Sequence, residues 1–186
     1  IKNHLSKKEK YAFAYKELSM KLGIKKIERI DAFDISHQYM QQGVGSCVVF
    51  AESGASKKDY RLFNIPNDIA GNDIASMEHV ISRRLKYYEE HRPDLILIDG
   101  GRAQLNFTNR ILKSFNMEKI LVLGIAKGKG RVRATETIYT SDGVIEIDPR
   151  SESFKLLNEL RDESHRFAIT ASRKKIRKSN KYSVSD

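Results

Sequence analysis

The stretch Asp94-Leu-Ile-Leu-Ile-Asp-Gly-Gly101 predicts the centre of the fold. Its consecutive aliphatic residues are typical of a short strand that is buried on both faces of a parallel sheet. Asp99 ends this strand, and the glycines after it allow a turn in which a ligand can approach the backbone closely. Because open α/β sheets bind ligands at the carboxyl ends of their strands, Asp99 is a candidate site residue and not only a helix cap.

Helical and strand patterns alternate on both sides of this segment. Apolar spacing predicts helices from about 73 to 90 and from 103 to 115, followed by a buried strand at 120–125. Upstream, three strands are predicted at 27–36, 44–51 and 59–65, with short turns that favour an antiparallel meander. A hairpin at Ser141-Asp-Gly143 and a helix from Ser153 follow. This order matches a ribonuclease H-like α/β architecture, with a mixed central sheet whose first three strands are antiparallel, flanked by helices.

The first predicted strand carries a second candidate carboxylate. Asp34 shares a face with Ile30 and Ala32, and a charge on an apolar face requires a partner. Asp31 is on the opposite face, where solvent or a salt bridge would satisfy it. If the first and fourth strands are neighbours, Asp34 and Asp99 approach each other, and a divalent cation commonly relieves such repulsion.

The final helix contributes a candidate histidine. His165 lies at the edge of the apolar stripe of this helix, where it is either a structural residue or a ligand. Glu163 is an ambiguous candidate, and Asp162 and Arg166 have the spacing of a helical salt bridge. Asp73 opens the first long helix, where it is either a cap or a residue that faces the site.

Composition restricts the partners. The chain has 34 lysines and arginines against 24 aspartates and glutamates, a net charge of +10, which favours an anionic partner. Charge alone leaves nucleic acid, an anionic membrane and an acidic protein all open. No apolar run approaches the roughly 20 residues of a membrane helix, and no signal peptide is visible. The single cysteine, Cys47, lies in an apolar run, which predicts a buried side chain and is compatible with a reducing cytoplasm.

Two basic segments lie at strand or helix ends close to the proposed site. Because charge runs are usually solvated, their role as contacts to a nucleic-acid backbone is a hypothesis. The residues are Lys127, Lys129, Arg131 and Arg133 in a glycine-containing loop, and Arg173, Lys174, Lys175, Arg177 and Lys178 after the His165 helix.

Several motifs, in order, resemble one known family over about 24–178. They are Phe33-Asp-Ile-Ser-His37, Tyr60-Arg-Leu-Phe-Asn-Ile65, Leu97-Ile-Asp-Gly-Gly101 with Gln104-Leu-Asn106, Gly124-Ile-Ala-Lys-Gly128 and Arg161-Asp-Glu-Ser-His-Arg-Phe-Ala-Ile-Thr170. Together they are similar to the C-terminal endonuclease domain of UvrC, the nuclease subunit of bacterial nucleotide excision repair.

The resemblance implies a metal-dependent DNA endonuclease. It implies an incision 5′ to a lesion in damaged double-stranded DNA, Mg²⁺ or Mn²⁺ as the cofactor, UvrA and UvrB as partners and a cytoplasmic location. By motif, Asp34, Asp99 and His165 form the metal and catalytic site, and Asp73 matches a further family aspartate. The family's N-terminal nuclease domain, UvrB-binding segment and helix-hairpin-helix motifs are not visible here, so we expect an excised domain.

The expected organisation is a linker helix at 1–23, an endonuclease domain at 24–178 and a tail at 179–186. The first helix either packs loosely on the domain or is the remains of a linker. Two other functions are compatible with the same fold, because fold does not determine function. One is a noncatalytic nucleic-acid-binding module, and the other is an RNA-directed nuclease.

Overall fold

The structure, a computed structural model, describes residues 5–36, 43–88, 91–128 and 136–182, with side chains up to 174. Within these ranges the chain forms one mixed sheet, four α-helices and a short 3-10 helix at Lys57–Asp59. The strands are β1 (Arg29–Ser36), β2 (Val44–Ala51), β3 (Gly54–Ala55), β4 (Arg61–Asn64), β5 (Leu95–Asp99), β6 (Leu121–Lys127), β7 (Glu136–Thr140) and β8 (Gly143–Ile145). The helices are α1 (Lys7–Leu22), α2 (Asp73–Leu85), α3 (Arg102–Ser114) and α4 (Glu152–Tyr182).

β1 lies inside the sheet, where it pairs antiparallel with β2 and parallel with β5. β5 pairs in parallel with β6, and β6, β7 and β8 continue as an antiparallel ribbon. On the other side, β3 and β4 both pair antiparallel with β2. The predicted mixed sheet and its antiparallel first part are therefore confirmed, and the first and fourth predicted strands are neighbours. The two-residue strand β3 was not predicted.

The helices form one layer on each face of the sheet. α2 and α3 pack together on one face, over β1 and β2 and over β6 and β7, and α1 and α4 pack together on the other face. This arrangement follows from the central strands: β5 is buried on both sides, so each face requires an apolar cover. None of the described helices is long and apolar enough to cross a membrane.

Two helices end at different residues from those predicted. α2 ends at Leu85 instead of near 90, and the turn after it places Tyr88 in the core. α4 continues through the basic segment to Tyr182, so helix is present where the tail was expected to begin. The proposed domain limits at 24 and 178 stay predictions.

α1 is a packed part of the core, so the expectation that it packs loosely is wrong. Tyr15 and Leu18 are almost completely buried. The Tyr11 hydroxyl donates to Glu159 of α4 at 2.6 Å, and Glu17 accepts from the Ser153 amide at the start of α4 at 2.8 Å. α1 therefore stabilises the helix that carries His165.

Asp31 is fully buried, so the expectation that it faces solvent is wrong and the salt-bridge alternative is correct. Its carboxylate accepts from Arg29 at 2.7 Å and from Arg84 of α2 at 3.1 Å. The Tyr88 hydroxyl donates to it at 2.6 Å. Burial and the Asp31 charge raise the pKa of Tyr88, which keeps this donor protonated. Cys47 is buried as predicted, with its sulfur 3.6 Å from Asp31.

This network generates a stability prediction. Arg84→Ala leaves the buried Asp31 charge with a single arginine, and removal of one partner from a buried pair costs about 3 kcal/mol or more. We expect the free energy of unfolding, measured by urea denaturation, to fall by about this amount.

The neighbouring Arg83 provides the matched control, because it is exposed and has no ion pair among the described residues. Arg83→Ala should change the free energy of unfolding by less than about 0.5 kcal/mol. Equal losses in the two variants would contradict a stabilising role for the buried pair.

Candidate active site

The strand register places Asp34 beside Asp99. The parallel pairing of β1 and β5 runs to Phe33 opposite Ile98, and the two aspartates are the next residues on their strands. Side chains alternate between the faces of a sheet, so two residues that follow a paired position share a face. Their backbones cannot separate without breaking the central pairing of the sheet. The predicted approach of these two carboxylates is therefore built into the fold.

The electrostatics agree with this proximity. Asp34 is buried, and Asp99 reaches solvent at the end of its strand. Partial desolvation by the surrounding atoms, and then the negative charge of Asp34, raise the pKa of Asp99. The positive charges of Arg161 and Lys127 act in the opposite direction. The pair is thus a place where added positive charge is favourable.

His165 reaches the same point from α4. Its Nδ1 lies 2.9 Å from Oδ2 of Asp34, and 46% of its side chain is exposed. The structure therefore brings His165 onto Asp34, which lies beside Asp99, and the metal and catalytic roles of the three residues stay predictions. Since this contact engages Nδ1, Nε2 is the ring nitrogen that can exchange a proton or meet a ligand.

A buried serine of β2 holds α4 in this position, and sequence reasoning missed it. Ser46 is opposite Asp34 in the antiparallel register of β1 and β2. Its hydroxyl donates at 2.8 Å to the carbonyl of Ser164, the residue before His165. One strand pair thus supplies both the carboxylate and the anchor for the helix whose histidine contacts it. The only sequence signal was a small polar residue inside an apolar strand.

Asp73 belongs to the other side of the site. Asn72 caps α2 by accepting from the Ala75 amide at 3.0 Å, so Asp73 is not the side-chain cap. Together with Asp99 and Gln104, Asp73 lines a small cavity of about 70 Å³. Asp99 thus lies between the cavity on the α2 side and the Asp34–His165 pair on the α4 side.

The backbone of β6 lies very close to the turn that follows Asp99, and this close approach explains why one position of the predicted motifs is a glycine. A Cβ on Gly124 of β6 would lie 2.6 Å from the carbonyl oxygen of Gly100. The turn after β5 is also held by the Gly100 amide, which donates to the Ile125 carbonyl at 2.9 Å. A larger residue at 124 would displace the turn that presents Asp99.

Only some of the basic residues predicted to contact a nucleic-acid backbone lie among the described residues. Lys127 ends β6, where its charge lowers the pKa of Asp99, and Arg173 and Lys174 are exposed on α4. Lys129, Arg131 and Arg133 lie outside the described residues, and the side chains of Lys175, Arg177 and Lys178 are not among those described.

Arg161 is a further cation at the site that was not predicted. It donates to Glu136 of β7 at 3.0 Å and to Asp162 at 2.9 Å. The expected salt bridge between Asp162 and Arg166 is wrong, because Arg166 binds Glu163 at 2.7 Å instead. This contact lowers the pKa of Glu163, whose carboxylate also accepts from Tyr60. Glu163 therefore has a structural role in this conformation.

Among the described residues, no group of three or more His, Cys, Asp and Glu side chains is arranged to hold a metal ion. The site consists of two adjacent carboxylates with a histidine bonded to one of them. Mg²⁺ usually keeps several waters and requires only one or two protein carboxylates besides substrate phosphates. The donor chemistry of Asp34 and Asp99 fits such an ion.

A mixed sheet with carboxylates at adjacent strand ends, and a histidine on a helix packed across them, defines a ribonuclease H-like nuclease fold. Residues 19–169 match the model of the UvrC RNase H endonuclease domain. The chain belongs to this family.

Curated relatives agree with this assignment. UvrABC system protein C of Saccharophagus degradans is 39% identical over 191 residues, which cover 99% of this chain and 31% of that protein. The protein of the same name from Acinetobacter baumannii is 40% identical over 185 residues, with coverage of 99% and 30%. The chain thus spans about a third of the length of these relatives.

A solved structure supports the fold alone. A variant of Ciona intestinalis endonuclease V, in complex with a 23mer DNA that contains inosine, aligns with a TM-score of 0.52 and 10% identity. The alignment covers 91% of this chain and 99% of that one.

The repulsion between Asp34 and Asp99 predicts a stabilising substitution. Since the pKa of Asp99 is raised in the folded state, its ionisation there destabilises the fold as the pH rises through that pKa. In buffer with a chelator, Asp99→Asn should be more stable than the wild type at neutral pH. Because this carboxyl reaches solvent, we expect a gain below about 1 kcal/mol.

The gain should shrink as the pH falls towards the ordinary aspartate value of 3.8. Urea denaturation across this pH range measures it, with Asp142→Asn in the exposed β7–β8 turn as the control. A loss of stability at neutral pH in Asp99→Asn would contradict the predicted repulsion.

Proposed function

We propose that this chain is a divalent-metal-dependent DNA endonuclease domain that hydrolyses a phosphodiester 5′ to a lesion during nucleotide excision repair. The observation that carries the proposal is the parallel register that holds Asp34 beside Asp99, with His165 bonded to Asp34. Membership of the UvrC endonuclease domain family supports the nuclease part of the proposal.

Mg²⁺ or Mn²⁺ is the proposed cofactor. When bound, it would polarise a phosphoryl oxygen and lower the pKa of a water molecule. Asp34 and Asp99 are the residues that would hold it. Both side chains offer oxygen ligands, and their mutual repulsion favours a cation between them. The pKa of Asp99 stays raised in spite of the positive charges of Lys127 and Arg161.

His165 has two compatible roles in this site. With Nδ1 on Asp34, its Nε2 can move a proton at the scissile phosphate or complete the metal site. Asp34 would fix the orientation of the ring. Asp73, which lines the small cavity together with Asp99, would act on the substrate side of Asp99.

The positive charges around the site suit a phosphate backbone. Lys127 lies at the end of β6 next to Asp99, and the exposed Arg173 and Lys174 extend along α4. Lysine and arginine contacts of this kind position a nucleic acid without reading its sequence. They would bring the backbone to an otherwise acidic centre, with damaged double-stranded DNA as the substrate.

The repair context is part of the same proposal. The relatives are named as components of a UvrABC system, and the chain spans about a third of their length. We infer that UvrA and UvrB are the partners of the longer protein in a cytoplasmic repair complex. The domain would then supply one of the cuts made by that complex.

The first test is a nicking assay on lesion-containing DNA with Mg²⁺ or Mn²⁺, reconstituted with UvrA, UvrB and the full-length relative that carries this domain. Asp34→Asn should abolish the 5′ incision because it removes a proposed metal ligand. His165→Ala should lower the rate by on the order of 10²-fold or more, as expected for loss of a proton-transfer group.

His79→Ala is the matched control, because His79 lies on the opposite helix layer and bonds the Asn64 carbonyl. It should cut at the wild-type rate. Undiminished 5′ cutting by folded Asp34→Asn protein would overturn the catalytic assignment. Competition with RNA of the same sequence separates a DNA enzyme from an RNA-directed nuclease.

The second test follows metal binding without any cutting. A ligand that binds only the folded state raises the melting temperature as its concentration increases. We expect saturable stabilisation of this chain by Mn²⁺, which Asp34→Asn and Asp99→Asn each weaken and Asp142→Asn leaves unchanged. The same Mn²⁺ response in all four proteins would favour a noncatalytic binding module.

A further inference from the structure

A groove between α2 and α3 opens beside the proposed catalytic centre. It has a volume of about 740 Å³, which is within the size range of small-ligand sites. Asp73, Met77 and Gln104 line this groove, and they also line the small cavity that Asp99 borders. A molecule that occupies the groove therefore contacts Asp73 and lies beside the cavity that Asp99 borders.

The walls of the groove offer flat and apolar surfaces. Ile74 is 59% exposed although it lies in the first turn of a helix whose inner face is buried. On the facing helix, the Arg110 guanidinium lies over the half-buried ring of Phe107, 5.3 Å from its centroid. Aromatic rings and arginine planes are the surfaces on which nucleobases stack.

Two amide side chains add polar groups with both donor and acceptor atoms. Gln104 uses its carbonyl oxygen to accept from the Gly101 amide at 3.2 Å. Its amide nitrogen has no hydrogen bond to other described residues, and the side chain of the exposed Asn106, two residues further along α3, has none either. Both residues belong to the Gln104-Leu-Asn106 motif, which the catalytic proposal leaves without a role. Amides of this kind pair with the edges of bases.

We propose that this groove binds an unstacked nucleobase of the DNA strand that is cut at Asp34 and Asp99. The inference rests on the proposed function, and it adds a requirement for local opening of the duplex beside the scissile phosphate. A base inside a duplex offers neither its face nor its pairing edge, so an unpaired nucleotide is preferred. The continuity with the Asp99 cavity favours a nucleotide over a peptide as the occupant.

The test is a binding measurement in buffer with a chelator, so that it does not depend on cutting. The probes are a DNA duplex with one unpaired 2-aminopurine and its fully paired counterpart, titrated with this chain. The wild type should bind the unpaired probe about tenfold more tightly. The fluorescence of the unpaired base should change as it stacks in the groove.

Phe107→Ala should abolish this preference and the change in fluorescence, and leave the affinity for the paired probe unchanged. Because Phe107 packs partly against the core, the exposed-position variants Asn106→Ala and Arg110→Ala provide a second measurement. Each should reduce the preference several-fold. Phe13→Ala is the matched control, since Phe13 is 51% exposed on α1 in the other helix layer.

Three results would overturn the proposal: equal binding of the two probes by the wild type, a preference that survives in Phe107→Ala and Arg110→Ala, or an equal loss in Phe13→Ala. These results are distinct from a failure of the proposed function. If the chain selects the unpaired base but shows no metal-linked stabilisation, the proposed base-binding groove stands and the proposed metal-dependent nuclease function fails.

Discussion

The parallel pairing of β1 with β5 is the constraint on which the rest of this molecule depends. It requires a crossover connection, which α2 supplies on one face of the sheet. It also brings the carboxyl ends of two buried strands to one edge, where Asp34 and Asp99 follow the last paired residues. Since these strands are buried, helices must cover both faces of the sheet, and one of them, α4, brings His165 to the same edge. The site is thus a consequence of the topology.

Two buried polar contacts hold this arrangement from opposite faces. On the α2 side, the fully buried Asp31 ties β1 to Arg84 and Tyr88 at the end of the crossover helix. On the α4 side, Ser46 ties β2 to the backbone that precedes His165. Such contacts stabilise mainly through the penalty for leaving a buried group without a partner, so they favour one relative position of helix and strand. Asp34 lies between these two contacts, because it follows Asp31 by three residues on β1 and is paired with Ser46 of β2.

The sequence predicted the parts of the site that depend on strand periodicity. The aliphatic run before Asp99 and the face alternation around Asp34 were sufficient to place both carboxylates, because the period of a strand is fixed. The surroundings of Asp31 were not predictable in this way. Alternation gives the face of a side chain but not which residues of the neighbouring helix reach it, and Tyr88 reaches Asp31 from the turn after α2. His165 was predicted as a site residue mainly from a family motif, because its contact with Asp34 joins residues 131 positions apart in the sequence.

The two sides of Asp99 suggest how substrate and catalytic groups are divided in space. On one side lie Asp34 and His165, which are held by strand register and by α4; on the other lie Asp73 and the groove between α2 and α3. Gln104 connects the two regions, because it accepts from the Gly101 amide in the turn after Asp99 and also lines the groove. The close approach of Gly124 to Gly100 keeps that turn against β6. A strand whose base occupies the groove would therefore have its backbone beside Asp99, so recognition of an opened nucleotide and cutting would use one rigid turn.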